Sequence, residues 1–134
     1  MNNDCIFCKI VKGELPSYKI YEDGEFLAFL TIAPVTDGHL LIIPKEHIVW
    51  MQDADDKTIG NIFNLAKKLM LAMKKSLPCD YVLVSVVGTE IPHFHIHLIP
   101  RSFEDGLPEF PTKNHEHEKA LDVAQKITEA LARP

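Results

Sequence analysis

The sequence predicts an α+β domain built around an antiparallel sheet. Three observations carry this reading. Strand-like runs lie on both sides of Asp23-Gly24, a pair that marks a hairpin. The segment from Ile59 to Leu77 has apolar residues spaced by three and four, the period of a helix. From His93 to Ile99 apolar residues alternate with histidines, the period of a strand.

In chain order, the hairpin strands are expected at Lys19 to Tyr21 and Phe26 to Leu30. Leu40 to Ile43 is a third β-type run, ended by Pro44. The long helix carries Ile59, Ile62, Phe63, Ala66, Leu69, Met70, Met73 and Leu77 on its core stripe. Asp53, Asp55 and Asp56 suit its N-terminal end, Lys74 and Lys75 its C-terminal end, and Pro78 stops it. Leu65 and Leu71 add apolar surface off that stripe and suggest a second buried face, a dimer contact. Tyr81 to Val87, rich in valine, reads as a buried strand. Gly88 and Pro92 bracket a turn, and Phe94 to Ile99 is the next strand, ended by Pro100. Residues 102–114 read as loop. Ala120, Leu121, Ala124, Ile127 and Leu131 mark a closing amphipathic helix.

The 134 residues make one domain, 1–134, and 46% apolar content is enough for one core. Lys and Arg number 14 against 19 Asp and Glu, a net charge of −5 with neutral histidines. That balance argues against nucleic-acid binding through a broad basic surface. Apolar runs such as Leu40 to Ile43 are far too short for a transmembrane helix. Met1-Asn2-Asn3-Asp4 opens no secretory signal, so a cytoplasmic location is the expectation. Cys5 and Cys8 stand as Cys-x-x-Cys, a spacing that points to metal or redox chemistry in a reducing compartment. Cys79 reads as an ordinary packed thiol, and His115 and His117 as solvated.

His93, His95 and His97 would share one strand face, with Phe94, Ile96 and Leu98 on the other. A solvated strand face is the plain reading. The sharper ones are a metal site of the His-x-His type and an imidazole nucleophile for phosphoryl transfer.

The segment His93-Phe-His-Ile-His-Leu-Ile99 resembles the signature of the histidine triad (HIT) family of nucleotide hydrolases and transferases. Further pieces resemble the family in order and spacing. They are Cys5-Ile-Phe-Cys8-Lys-Ile, Pro16, Tyr21-Glu-Asp, Leu27-Ala-Phe, Gly38-His39, Ile43-Pro-Lys-Glu-His-Ile48 and Ile99-Pro-Arg101. The resemblance implies a five-stranded antiparallel sheet with a long central helix and a C-terminal helix, usually in a homodimer. It implies that His95 is the nucleophile, its tautomer held by a main-chain carbonyl near His93. His97 would then face the phosphate and offset its charge, or orient its neighbour. Cys5, Cys8, His47 and His93 match a structural zinc site. Phe7, Leu15, Phe29 and Ile32 match positions that sandwich the base, with plain core packing as the competing reading. His39 matches a position with no catalytic role assigned to it.

Three departures stand out. Thr31 replaces an aspartate that holds the ribose hydroxyls, and Val86 replaces an asparagine. The phosphate loop is reduced to Thr89, Glu90, Ile91 and Pro92, where Thr89 is the polar residue left to contact the phosphate. The implied function is hydrolysis of a phosphoramidate or phosphoanhydride of a nucleotide-like substrate, through a covalent intermediate on His95. The alternatives are a zinc-stabilised nucleotide-binding or adaptor protein with little turnover, and a metalloenzyme with an open metal at His95 and His97.

Overall fold

The computed structural model describes residues 4–133. Five strands form its sheet: β1 (Tyr18–Glu22), β2 (Phe26–Leu30), β3 (Leu40–Pro44), β4 (Tyr81–Ser85) and β5 (Ile96–Arg101). Their order is β1-β2-β3-β5-β4, with every neighbouring pair antiparallel. Helix α1 (Ile6–Val11) precedes the sheet, α2 (Asp56–Ser76) links β3 to β4, and α3 (His117–Ala132) comes last. Among the described residues no helix is long and apolar enough to cross a membrane.

Strands β2 and β3 are apolar at every position because both of their faces are covered. On one face Phe26, Ala28, Leu40, Ile42, Ile96 and Leu98 pack against Ile62, Leu65, Ala66, Leu69 and Met73 of α2. On the other, Leu27, Phe29, Leu41 and Ile43 pack with Cys5, Phe7 and Cys8 around α1. Phe94 joins the α2 side, so the alternating histidines turn toward the α1 side. That alternation is what brings the imidazoles to the N-terminal segment.

Local chemistry sets the element ends. Asp23 Oδ1 accepts from the backbone N–H of Glu25 and Phe26 at 2.8 and 2.7 Å, so the aspartate side chain builds the hairpin turn. Asp55 caps α2 by accepting from Thr58 N at 2.8 Å. Gly13, at φ 79°, closes α1: its N–H donates to Ile10 O, and Glu14 N–H donates to Lys9 O. At Gly88 a Cβ would collide with the Trp50 ring, so glycine lets the loop cross that indole without displacing it.

Several expectations change. Helix α1 has no counterpart among the elements expected from the sequence. Strand β5 begins at Ile96 instead of Phe94. Continuing the β3–β5 register would set Phe94 against Pro44, which has no N–H, and Phe94 N–H donates to Ile48 O at 2.6 Å instead. Pro100 does not end the strand. Its carbonyl accepts from Thr36 Oγ1 at 2.6 Å, on the side away from β4, so its missing N–H costs β4 nothing. Strand β4 is a half-exposed edge, not a buried strand: Val82 packs on the α2-side core, but the strand is last in the sheet and its outer residues stay exposed. Leu65 lies in the core and Leu71 faces solvent, so they do not form a second buried face. Helix α3 buries none of its residues, so it does not close the core.

Leu65→Ala is expected to cost about 2–5 kcal/mol, the range for a core leucine. Leu71→Ala should change stability by no more than about 0.5 kcal/mol. Urea denaturation of both variants checks this, and equal effects would contradict the placement of Leu65.

Candidate metal centre and histidine site

Two clusters of side chains meet on the α1 side of the sheet. The first begins at α1, where Cys5 is the N-cap and its Sγ accepts from Cys8 N at 3.4 Å. His47 follows β3 and His93 precedes β5. The ligand atoms of Cys5, Cys8, His47 and His93 all lie within 4.8 Å of one another. His93 Nδ1 is 3.3 Å from Cys5 Sγ and 3.6 Å from Cys8 Sγ, and His47 Nδ1 is 3.3 Å from Cys8 Sγ. His93 Nε2–H donates to the Pro44 carbonyl at 2.8 Å, which turns the Nδ1 lone pair toward the sulfurs. Burial pulls the His93 imidazole down to about 4, so it is neutral at pH 7, as a metal ligand must be. Two thiols and two imidazoles, with a backbone carbonyl fixing one ring, could hold a metal ion that favours sulfur and nitrogen.

The second cluster is His95, His97 and His39. His95 Nδ1 lies 2.6 Å from the His93 carbonyl oxygen. A carbonyl only accepts, so Nδ1 carries the hydrogen and Nε2 keeps its lone pair. The Phe7 ring meets His95 edge-on with centroids 5.1 Å apart. His97 sits in β5 opposite Leu41 and Ser85, its ring centroid 4.9 Å from that of His95.

His39 was missed as a functional residue, and hydrogen bonds define its part. Val35 N–H donates to His39 Nδ1 at 3.0 Å, so the His39 hydrogen sits on Nε2. That Nε2 is 3.0 Å from His97 Nδ1, which must accept, and the His97 hydrogen therefore sits on its own Nε2. Burial lowers both pKa values, that of His97 to about 4, with neighbouring His95 and His39 adding to the effect. Both rings are neutral at pH 7. The group thus sets a lone pair on His95 beside an N–H donor on His97. Phase alone, with His39 just before β3 and in step with Leu41, does not reveal this pairing, because the register that sets Leu41 opposite His97 is not local.

An apolar cavity of about 420 Å³ lies alongside, lined among others by Phe7, Phe29, Ile32 and Leu41. Phe7 and Phe29 meet edge to face at 5.7 Å. Thr31 and Ile91 also line it, whereas Leu15 and Thr89 do not. Leu15 is half exposed ahead of β1, and Thr89 is exposed in the loop between β4 and β5. Val86 is exposed just past β4. Cys79 is half-buried, and His115 and His117 are exposed.

Comparison with known proteins adds four findings. Residues 12–104 match the HIT domain family. The chain is 38% identical over 134 residues to the adenosine 5'-monophosphoramidase hnt1 of Schizosaccharomyces pombe, covering 92% of this chain and 98% of that one. Among solved structures it is similar to a HIT family member from Bacillus subtilis, with a TM-score of 0.87 at 32% identity over 98% of this chain and 100% of that one. It is also similar to a Zn-bound histidine triad family protein from Mycobacterium smegmatis, with a TM-score of 0.75 at 30% identity over 97% and 98% of the two chains.

Nitrogen NMR of the imidazoles is expected to find His95 as the Nδ1–H tautomer and His39 and His97 as Nε2–H tautomers near pH 7. His39→Ala should leave His97 averaging between tautomers. A His97 ring protonated on Nδ1 in the wild type would contradict the hydrogen-bond chain.

Proposed function

This chain belongs to the HIT domain family, and we propose that it is a hydrolase of nucleotide-like compounds. In this reading it cleaves a phosphoramidate or phosphoanhydride bond through a covalent intermediate on His95. The observation that carries the reading is the 2.6 Å contact from His95 Nδ1 to the His93 carbonyl. It leaves Nε2 as the free nucleophile and offers the ring an acceptor when the ring becomes cationic. The relative from Schizosaccharomyces pombe, named as a monophosphoramidase, supports the choice of bond.

The chemistry divides into two displacements. His95 Nε2 attacks phosphorus, the bond to the leaving group breaks, and that group departs with a proton from solvent. The ring then carries phosphorus on Nε2 and hydrogen on Nδ1, a cation that the His93 carbonyl stabilises. His97 Nε2–H donates to a non-bridging phosphoryl oxygen, where negative charge shifts during each step. Water attacks the phosphorus next and gives up a proton to solvent, and the Nε2–P bond breaks with its electron pair returning to Nε2, which restores neutral His95 and releases a nucleoside monophosphate. The cavity beside Phe7 receives the nucleoside, with Phe7, Phe29 and Ile32 against the base.

Cys5, Cys8, His47 and His93 hold a zinc ion in this reading, supported by the ligand set and by the Zn-bound neighbour. Four protein donors leave no open position, so its contribution is structural. The protein is also proposed to be a homodimer. Leu121, Ile127 and Leu131 of α3 and Val84 of the edge strand β4 expose apolar surface that a second copy would cover.

His95→Ala is expected to lower kcat/KM on adenosine 5′-phosphoramidate by roughly 10⁴-fold or more. His95 is buried, so its removal should lower stability by about 0.5–3 kcal/mol while the zinc is retained. His93→Ala should lose the zinc, one ion per chain by elemental analysis, and should melt at a lower temperature. His97→Ala should fold normally and turn over slowly. A mass adduct on His95 after rapid quench is the direct check. Binding without turnover in the wild type would favour a nucleotide-binding protein instead. Light scattering should give twice the chain mass, and a monomer at high concentration would remove the dimer.

A further inference from the structure

Phe7 joins the cavity to the histidines, since its ring both lines the cleft and meets His95 at 5.1 Å. A substrate with phosphorus at His95 therefore lays its organic group in this cleft. Among the described residues that line it, none is Asp, Glu, Lys, Arg or His. The side-chain polar groups are the hydroxyls of Ser17, Tyr18 and Thr31. Thr31 Oγ1 already accepts from Ala33 N at 3.3 Å, which uses part of its accepting capacity. A ribose presents a vicinal diol, two donors that the two oxygens of a carboxylate can accept together, whereas Thr31 offers a single oxygen with one of its two lone pairs already engaged by Ala33 N. The rim is also wet, because Ser17, Tyr18 and Ile32 are exposed. A sugar hydroxyl there keeps its water whether or not the protein contacts it. Sites built to hydrogen-bond a hydroxyl reject the analogue lacking it by large factors, and a site without such partners does not.

We propose, resting on the hydrolase reading above, that the cleft selects substrates by a flat, largely apolar base and is indifferent to the ribose diol. Ribo-, 2′-deoxy- and 2′,3′-dideoxynucleotide phosphoramidates are then all substrates, and Thr31 is the position that sets this tolerance.

The test compares adenosine, 2′-deoxyadenosine and 2′,3′-dideoxyadenosine 5′-phosphoramidates in turnover. The three matching 5′-monophosphates are compared in calorimetric binding. Wild-type kcat/KM and Kd should each agree across the three sugars within about threefold. Thr31→Asp should raise the ribo-over-dideoxy ratio by about tenfold or more, and Thr31→Val should move all three compounds together. A wild-type preference for ribose of about tenfold, or a Thr31→Asp ratio unchanged from wild type, overturns the proposal. Binding of the monophosphates without turnover of any phosphoramidate removes the hydrolase reading, and the Kd ratios still decide the sugar question. Failure to bind any of the three monophosphates overturns the cleft assignment itself.

Discussion

The rest of the site depends on how His93 is held. Its ring is fully buried, with Nδ1 toward two sulfurs and Nε2–H on the Pro44 carbonyl at 2.8 Å. Its backbone N–H donates to Ile91 O at 2.8 Å, and its carbonyl accepts from His95 Nδ1 at 2.6 Å. One residue therefore fixes the thiol–imidazole cluster through its side chain and the neighbouring imidazole through its main chain. A small displacement of His93 would misaim His95 before any contact of His95 itself was broken. Sites need this kind of rigid support, because positional errors near 1 Å are enough to lose much of a rate.

The dependence runs the other way through α1. Six residues cannot hold a helix in water by their own hydrogen bonds. Helix α1 persists because Phe7 and Cys8 are buried against Leu27, Phe29, Leu41 and Ile43, and because Gly13 closes its end. The α1 side of the sheet is thus core and site at once. Phe7 packs on Phe29, meets the rings of His93 and His95, and forms the wall of the cleft.

What could be read from the sequence follows from how local the cause is. The alternation of His93, Phe94, His95, Ile96, His97 and Leu98 reports two faces, and the faces are as expected even though the ladder begins only at Ile96. The Asp55 cap and the end of α2 are equally local, and the helix was legible almost to the residue. Helix α1 was legible in principle, through Ile6, Phe7, Ile10 and Val11 at helical spacing before Gly13. The Cys5-x-x-Cys8 spacing points to metal or redox chemistry and says nothing of the helix that carries it. The edge position of β4 was not legible, because valines in a strand look the same whether or not something covers them. Nor was the place of His39, which depends on a register between β3 and β5 that joins residues far apart in the chain.

The contact between Gly88 and the Trp50 ring has a practical side. Trp50 is the only tryptophan in the chain, and it lies against the loop that leads into His93. Its indole is partly exposed, so its emission depends on how much water reaches it and on how closely the loop lies over it. The protein therefore carries its own optical reporter beside the loop that leads into His93. Intrinsic fluorescence can follow rearrangement of this loop in real time, with no label and no second chromophore of the same kind to confuse the signal.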